Sequence, residues 1–332
     1  MIRVHYYVHG RGRGHATRSR AIIAGLRSAA VQVSVFAGRD AQSVFGNDCR
    51  PVQSVPPGLP LGLGSLLLRR IKEAEQLAAR DMPQLILSDG DLPAVAAGKR
   101  LGLPTLAIGH GLVFAHCERP LSAPRLPWLR EGVKARLASA GASHQVAVNF
   151  VPLKPRDPER TSVAFPSVQA LPQVAEPGCG PVVCYFRDDN GAQFARWAMA
   201  AGYPVCTFGG RPVEGAKHLP FAVSAFQEAL GAARAVISSA GSQLISECLF
   251  HGVPQLALYH PRDDEQRLNA CMLSSCAGPS RGLASDACDA TAVAAFLADC
   301  DPTQRWADAP GGAEQRVNVV DEVVRQTLRL AG

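Results

Sequence analysis

The stretch AVISSAGSQLISECLFHGVPQLALYHPRDDEQRLNA, residues 235–270, alternates short apolar runs with helical patterns. The run Ala235–Ile237 predicts a buried strand that stops at five small residues, Ser238, Ser239, Ala240, Gly241 and Ser242. A helical period over Gln243–Phe250 follows, Gly252-Val253-Pro254 ends it, Gln255–Leu258 reads as a second buried strand, and Glu265–Ser274 as a second helix. Fully buried strands alternating with helices mark a parallel sheet covered on both faces. In such sheets ligands gather outside the carboxyl ends of the strands, which is where these small residues stand. Their lack of bulk lets the amides at the start of the next helix meet an anion, so Gly241 and Ser242 are candidates for a diphosphate seat. Glu247, just over one turn farther along, is suited to accept hydrogen bonds from vicinal ribose hydroxyls. Glu265 and Gln266, with Asp263 and Asp264, can offer acceptors and an amide to sugar hydroxyls, although a solvated acidic loop has the same composition.

Working outward, the same alternation fills the second half of the chain. Strands are expected at Val182–Phe186 and Val205–Phe208, with helices at Ala192–Ala201 and Ala222–Leu230. The first half repeats it with strands at Ile2–Val8, Val31–Phe36, Leu85–Leu87, Thr105–Ile108 and Gln145–Val148. Its expected helices are Thr17–Ala29, Ser65–Arg80, Leu92–Leu101 and Trp128–Ala138. Between the halves, residues 152–181 contain seven prolines and no long period, as expected of an interdomain connection with one short strand near Val163. A chain of 332 residues exceeds one hydrophobic core. The expected fold is therefore α/β, with two Rossmann-like domains facing one another across a cleft, one over residues 1–160 and one over 161–332. The amphipathic segment Val317–Leu330 can pack back on the first of them.

Charge separates the halves. Residues 1–160 hold 22 Lys and Arg against 11 Asp and Glu, whereas residues 161–332 hold 12 against 17. The basic half suits an anionic substrate or the surface of an anionic membrane. Its arginines are too dispersed, and too poor in interleaved aromatics, for nucleic acid. The segment LPLGLGSLLLRRIK, residues 59–72, mixes apolar and basic residues as an interfacial helix does, and equally as a core helix does. No run of 18 apolar residues and no signal peptide is present, so a cytoplasmic, at most membrane-peripheral, protein is expected. Ten scattered cysteines without a C-x-x-C pair read as reduced, packed thiols, and no metal site is expected.

The stretch VHGRGRGHATRSRA, residues 8–21, joins the first strand to the first helix. Gly10, Gly12 and Gly14 would allow positive φ and close backbone approach, and the helix start would favour an anion. His15 there can serve as a general base, or as a mere cap or core histidine. Its orienting partner is expected to be Asp89, at the tip of the Leu85–Leu87 strand, rather than Asp91, which can cap the helix from Leu92. Arg13 and Arg18 can support developing negative charge, and His110, also after a strand, can line an acceptor pocket.

These motifs together resemble the GT-B glycosyltransferases, in particular the family of the peptidoglycan lipid II N-acetylglucosaminyltransferase and its bacterial relatives. Gly241-Ser242, Ser246-Glu247, Gly252-Val253-Pro254 and Gln266-Arg267-Leu268-Asn269-Ala270 follow the family pattern in the second half. Gly12-Arg13-Gly14-His15-Ala16-Thr17-Arg18 matches the amino-terminal G-x-G-H-x-x-R. The resemblance implies an inverting, metal-independent transfer from a nucleotide sugar, with UDP as the family's nucleotide and no further cofactor. The donor would sit in the second domain and the acceptor in the first. Two departures point to a different acceptor: Glu265 stands where the lipid II enzyme usually has glutamine, and Arg11 and Arg13 interrupt the glycine loop. Two other activities fit parts of the pattern: nucleotide-sugar hydrolysis, whose related enzymes add a D-x-Y-x-L-D-x-x-W-E segment not found after Leu87, and nucleotide-sugar binding without catalysis.

Overall fold

The computed structural model describes residues 1–10, 13–55, 64–172, 178–186, 191–208, 210–220, 222–276, 278–301 and 317–332. They fall into two compact units. Unit 1 comprises Met1–Arg119, Leu129–Ser167 and Arg316–Gly332, and unit 2 comprises Pro120–Trp128 and Val168–Gln315.

The first elements of the chain are β1 (Arg3–Val8), α1 (Arg13–Ser28), β2 (Gln32–Ala37), α2 (Arg39–Phe45), β3 (Arg50–Pro51), α3 (Gly64–Asp81) and β4 (Leu85–Asp89). Next come α4 (Leu92–Leu101), β5 (Thr105–Gly109), α5 (Leu112–His116), α6 (Arg125–Ser139), β6 (His144–Val148) and β7 (Thr161–Ala164). The seven strands form one sheet in the order β3-β2-β1-β4-β5-β6-β7, and every pair is parallel. The order reverses between β1 and β4, which makes their carboxyl ends the topological switch point. The sheet is buried on both faces: Tyr6, Val8, Leu85 and Leu87 pack with Ile22 and Leu26 of α1, while Tyr7, Phe36 and Ile86 pack with Ile71 of α3 and Ala94 and Ala97 of α4.

Unit 2 contains β8 (Val182–Tyr185), α7 (Ala192–Ala200), β9 (Val205–Phe208), β10 (Lys217–Leu219), α8 (Val223–Ala232), β11 (Val236–Ser239) and α9 (Ser242–Phe250). It continues with β12 (Gln255–Tyr259), α10 (Asp264–Ser274), β13 (Arg281–Ala284) and α11 (Ala290–Ala298). Its sheet, β10-β9-β8-β11-β12-β13, is again wholly parallel and reverses between β8 and β11. Both units are thus Rossmann-like. The last helix, α12 (Val319–Ala331), returns to unit 1, where Val319 and Val323 join the core beside Ile22 and Leu26. A Cβ on Gly25 of α1 would lie 2.3 Å from Val320 Cγ1, so the two helices approach as closely as a glycine permits.

Several sequence expectations change. The strand near Val163 is β7, paired to β6 inside the first sheet, so the boundary expected at 160/161 falls at 167/168. Helix α1 starts at Arg13 rather than Thr17, because side chains in its first two turns bond to β4 and hold them helical despite Gly14. In the membrane-patch candidate, residues 59–63 lie outside the described residues. From Gly64 onward Leu67 and Ile71 pack on the core and Arg70 is buried, leaving Leu68, 52% exposed, as its one exposed large apolar side chain. None of the ten cysteines forms a disulfide. Among the described residues no helix is long and apolar enough to cross a membrane.

Candidate functional site

At the switch point of unit 1, β1 and β4 run in register with Val8 beside Asp89, and the His9 amide donates to the Asp89 carbonyl at 2.9 Å. The chain then turns into α1, whose first two turns carry His15, Arg18 and Ser19 back over the tip of β4. Asp89 is wholly buried there and accepts from all three. His15 Nδ1 lies 2.6 Å from Oδ1, Arg18 Nε donates to Oδ2 at 3.0 Å and its Nη2 to Oδ1, and Ser19 Oγ donates to Oδ2 at 2.9 Å. Tyr6 OH in turn donates to Ser19 Oγ at 3.3 Å. Burial by itself would push the Asp89 carboxyl up. The Arg18 charge, then His15 and the hydrogen bonds of both, hold it well below the usual carboxylate range. An ionised Asp89 requires a proton on His15 Nδ1, so in the neutral ring Nε2 carries the lone pair, and it has no partner among the described residues. Arg18 Nη2 also lies 3.2 Å from Nδ1, but both are donors in that tautomer, so the carboxylate between them is their shared acceptor. The His15 side chain is 33% exposed, so the ring is held at one nitrogen and open to solvent.

The glycines do less by positive φ than expected. Gly10 and Gly14 are absent from the positive-φ positions of the chain. Gly10 is required by proximity, since a Cβ there would lie 2.2 Å from the Gly38 carbonyl oxygen. Gly12 lies outside the described residues, as does the side chain of Arg13, whose backbone opens α1. The positive φ stands at Gly90, +77°, where a Cβ would come within 3.3 Å of His9 Cβ and 3.4 Å of His15 Cε1. Arg18 is buried and spends two of its guanidinium nitrogens on Asp89, which makes it the counter-ion of that carboxylate. Asp91 caps α4, accepting from the Ala94 amide at 3.0 Å. His110 follows β5 on the same edge of the sheet, but it is buried, its Nδ1 donates to the Val148 carbonyl at 3.0 Å, and its ring packs against Phe114 and Phe150. These are the surroundings of a packed strand-end histidine.

In unit 2, α9 and α10 follow adjacent parallel strands, so both helices start on the strand-end edge. Gly241 is the N-cap of α9 at φ −78° and provides no side-chain cap, and a Cβ on it would meet nothing within 4 Å. The first amides of α9 thus receive no side-chain cap from Gly241. Glu247 is partly buried, accepts from Gln243 Nε2 at 2.9 Å, and is pushed up by burial against the opposing effect of that bond. At α10, Asp263 caps the Gln266 amide at 3.0 Å, leaving Glu265 exposed and Gln266 half-buried in the first turn. Sequence reasoning gave Asn269 no role. It is buried and donates through Nδ2 to the Ala240 carbonyl at 3.0 Å, tying α10 to the loop that precedes α9. A cavity of about 320 Å³ at the ends of β8 and β9, lined in part by Phe186, Gly191, Thr207 and Arg211, lies on the same edge and was likewise unanticipated. Among the described residues no group of three or more His, Cys, Asp or Glu side chains is arranged to hold a metal.

A family described as Glycosyl transferase family 1 matches residues 46–300. None of the curated proteins matches the sequence closely enough to count as a relative. Among solved structures, MurG of Acinetobacter baumannii is similar over 99% of this chain and 100% of its own, with 15% identity and a TM-score of 0.68. The glycosyltransferase VinC, solved in complex with dTDP, is similar over 99% of both chains, with 14% identity and a TM-score of 0.61. A putative UDP-N-acetylglucosamine 2-epimerase of Listeria monocytogenes shares the fold over 98% of this chain and 95% of its own, with 13% identity and a TM-score of 0.63. A family match over most of the chain, carried by two wholly parallel Rossmann-like units, shows that the chain belongs to glycosyl transferase family 1, on the GT-B fold.

Proposed function

We propose that the protein transfers a hexose from a UDP-sugar to an acceptor hydroxyl by a single inverting displacement. The observation that carries this reading is the His15 ring, fixed to a buried carboxylate through Nδ1 with Nε2 unengaged. Nε2 takes the proton of the acceptor hydroxyl as its oxygen forms a bond to the anomeric carbon. The bond from that carbon to the diphosphate breaks, and UDP departs with the electron pair. Asp89 stabilises the imidazolium, and Arg18 and Ser19 keep Asp89 ionised and oriented. In unit 2 the uncapped start of α9 at Gly241 and Ser242 takes the diphosphate charge, so the reaction needs no metal and no cofactor beyond the donor. Glu247 accepts from the ribose, and Glu265 and Gln266 bind the sugar hydroxyls. The choice of uracil rests on the family resemblance, and VinC with its dTDP is the reason to test the base.

Three measurements test this. UDP at about 100 times its dissociation constant should stabilise the protein by roughly 2.7 kcal/mol, and NAD and ATP should not; stabilisation by dTDP in place of UDP would reassign the base. Glu247→Ala should weaken UDP by about 1.5–3 kcal/mol in calorimetry with the fold intact. With an acceptor identified by product screening, His15→Ala should keep UDP affinity within about twofold and lower turnover roughly 10²- to 10⁴-fold, with chelator leaving the parent unaffected. A folded, fully active His15→Ala enzyme would remove the base assignment, and free sugar released without an acceptor would turn the site into a hydrolase.

A further inference from the structure

Helix α12 docks on unit 1 through a face that is only partly apolar. Val319 and Val323 enter the core beside Ile22 and Leu26, but Glu322, Gln326 and Thr327 are buried with them. Gln326 Oε1 and Thr327 Oγ1 have no hydrogen-bond partner among the described residues. Each such atom opposes docking, so the apolar contacts are partly offset.

The polar side is held by a circuit at the amino starts of β6 and β7, the opposite edge of the sheet from His15 and Asp89. Arg329 Nη2 lies 3.2 Å from His144 Nδ1, and His144 Nε2 lies 3.1 Å from Ser162 Oγ. A guanidinium only donates, so Nδ1 is the acceptor and the ring proton stands on Nε2. Nε2 then donates to Ser162 Oγ, whose own proton goes to the Glu322 carboxylate. The circuit leaves α12 at Arg329, crosses β6 and β7, and returns to α12 at Glu322. It closes only while His144 is neutral, because a second ring proton would stand on Nδ1, facing a donor.

His144 is 2% exposed. Burial first, and then the Arg329 charge, lower its imidazole from the ordinary value, with Arg325 adding to them. Glu322 and the Glu159 carbonyl pull the other way, and Leu106, its partner on β5, carries no charge.

We propose that His144 makes α12 an acid-released latch: when the ring takes a second proton, Arg329 loses its acceptor and faces a like charge, and the helix leaves unit 1. Its departure uncovers Ile22 and Leu26 on α1, the helix that carries His15. None of the latch residues takes part in the transfer chemistry. The undocked helix leaves His144 at its ordinary value of about 6.5. Docking is therefore complete above that pH and weakens as pH falls toward the lowered value. Against burial, which raises it, the bonds from Ser162, Gln326 and Arg325 hold Glu322 below its ordinary carboxylate value, so it stays ionised through this window.

The test is hydrogen exchange of the intact protein, read by mass spectrometry from about pH 7.5 to about pH 5 and corrected for intrinsic rates. Peptides from α12 are compared with peptides from α4, which packs on the other face of the sheet. Protection of α12 should fall by up to about tenfold per pH unit below about pH 6.5, the limit for one linked proton, with α4 falling less. His144→Gln offers Arg329 an acceptor and Ser162 a donor without a titrating ring, so its α12 should keep its protection within about threefold across the range. Arg329→Gln, at an exposed position, removes the facing charge and should make the acid fall shallower, and it decides the matter if His144→Gln does not fold. Protection of α12 that is flat in the parent, falls in step with α4, or falls as steeply in either variant overturns the latch.

Discussion

Asp89→Asn separates the structural work of the unit 1 cluster from its chemical work. In the parent the carboxylate is fully buried and accepts from His15, twice from Arg18, and from Ser19. Asparagine keeps one acceptor oxygen and turns an NH₂ group toward Arg18 Nε and Ser19 Oγ, both donors, and it strips the buried guanidinium of its counter-charge. Removing one partner of a buried pair costs about 3–5 kcal/mol. In a unit of this size that corresponds to a fall in melting temperature of roughly 6–20 °C. The contribution is pH-dependent. Asp89 titrates lower folded than unfolded, so its stabilisation is complete above the ordinary carboxylate value of about 4 and is lost as pH falls from there toward the depressed one. Calorimetric melts of parent and variant at neutral pH and at about pH 3 should therefore converge in acid, to the extent that Asp89 supplies the difference. Turnover should fall in the same direction as for His15→Ala but less far, since the base remains. A variant that melts within about 2 °C of the parent at neutral pH would refute a buried, ion-paired Asp89.

Gly90→Ala forces a side chain into positive φ and against His15, and should cost about 1–2 kcal/mol and lower turnover while sparing UDP affinity in calorimetry. Asn269→Ala leaves the Ala240 carbonyl without its buried donor. It should destabilise by about 1–3 kcal/mol and weaken UDP, with equal affinity in a folded variant arguing against the proposed diphosphate seat at the start of α9. His5, lowered to about 4 chiefly by burial against the opposing pull of Asp81, is a base that the unfolded chain protonates first. Unit 1 should accordingly lose stability as pH falls from about 6.5 to about 4, and His5→Leu should give a shallower slope in denaturant titrations across that window.

The strands of both sheets that are buried on both faces were legible because such strands are written as unbroken Val, Ile and Leu runs. Strands β3, β10 and β13 were not, since they span two to four residues and no residue in them is fully covered. Helices α2 and α5 escaped for a related reason, being five to seven residues long and shorter than the period needed to declare them. The pairing of His15 with Asp89 could be anticipated because Asp89 ends its buried strand, His15 stands at the start of the helix that follows the neighbouring strand, and the switch point brings the two together. What neither residue announced was the shared counter-ion. Arg18 looks like any basic helix residue, and its burial depends on α1 beginning four residues earlier than its apolar period suggests. Asn269 stood in the Gln266–Ala270 motif, but its contact was not legible, because a buried amide aimed at a carbonyl on another loop has no periodicity to betray it.

The return of α12 to unit 1 has a consequence for synthesis. Unit 2 is continuous apart from residues 120–128 and can complete its sheet once residue 298 has left the ribosome. Unit 1, although begun first, keeps the face of α1 behind Gly25 uncovered until residues 319–331 emerge. The helix that carries His15 is thus finished last, its Gly25 face open to solvent until the whole of unit 2 has been translated.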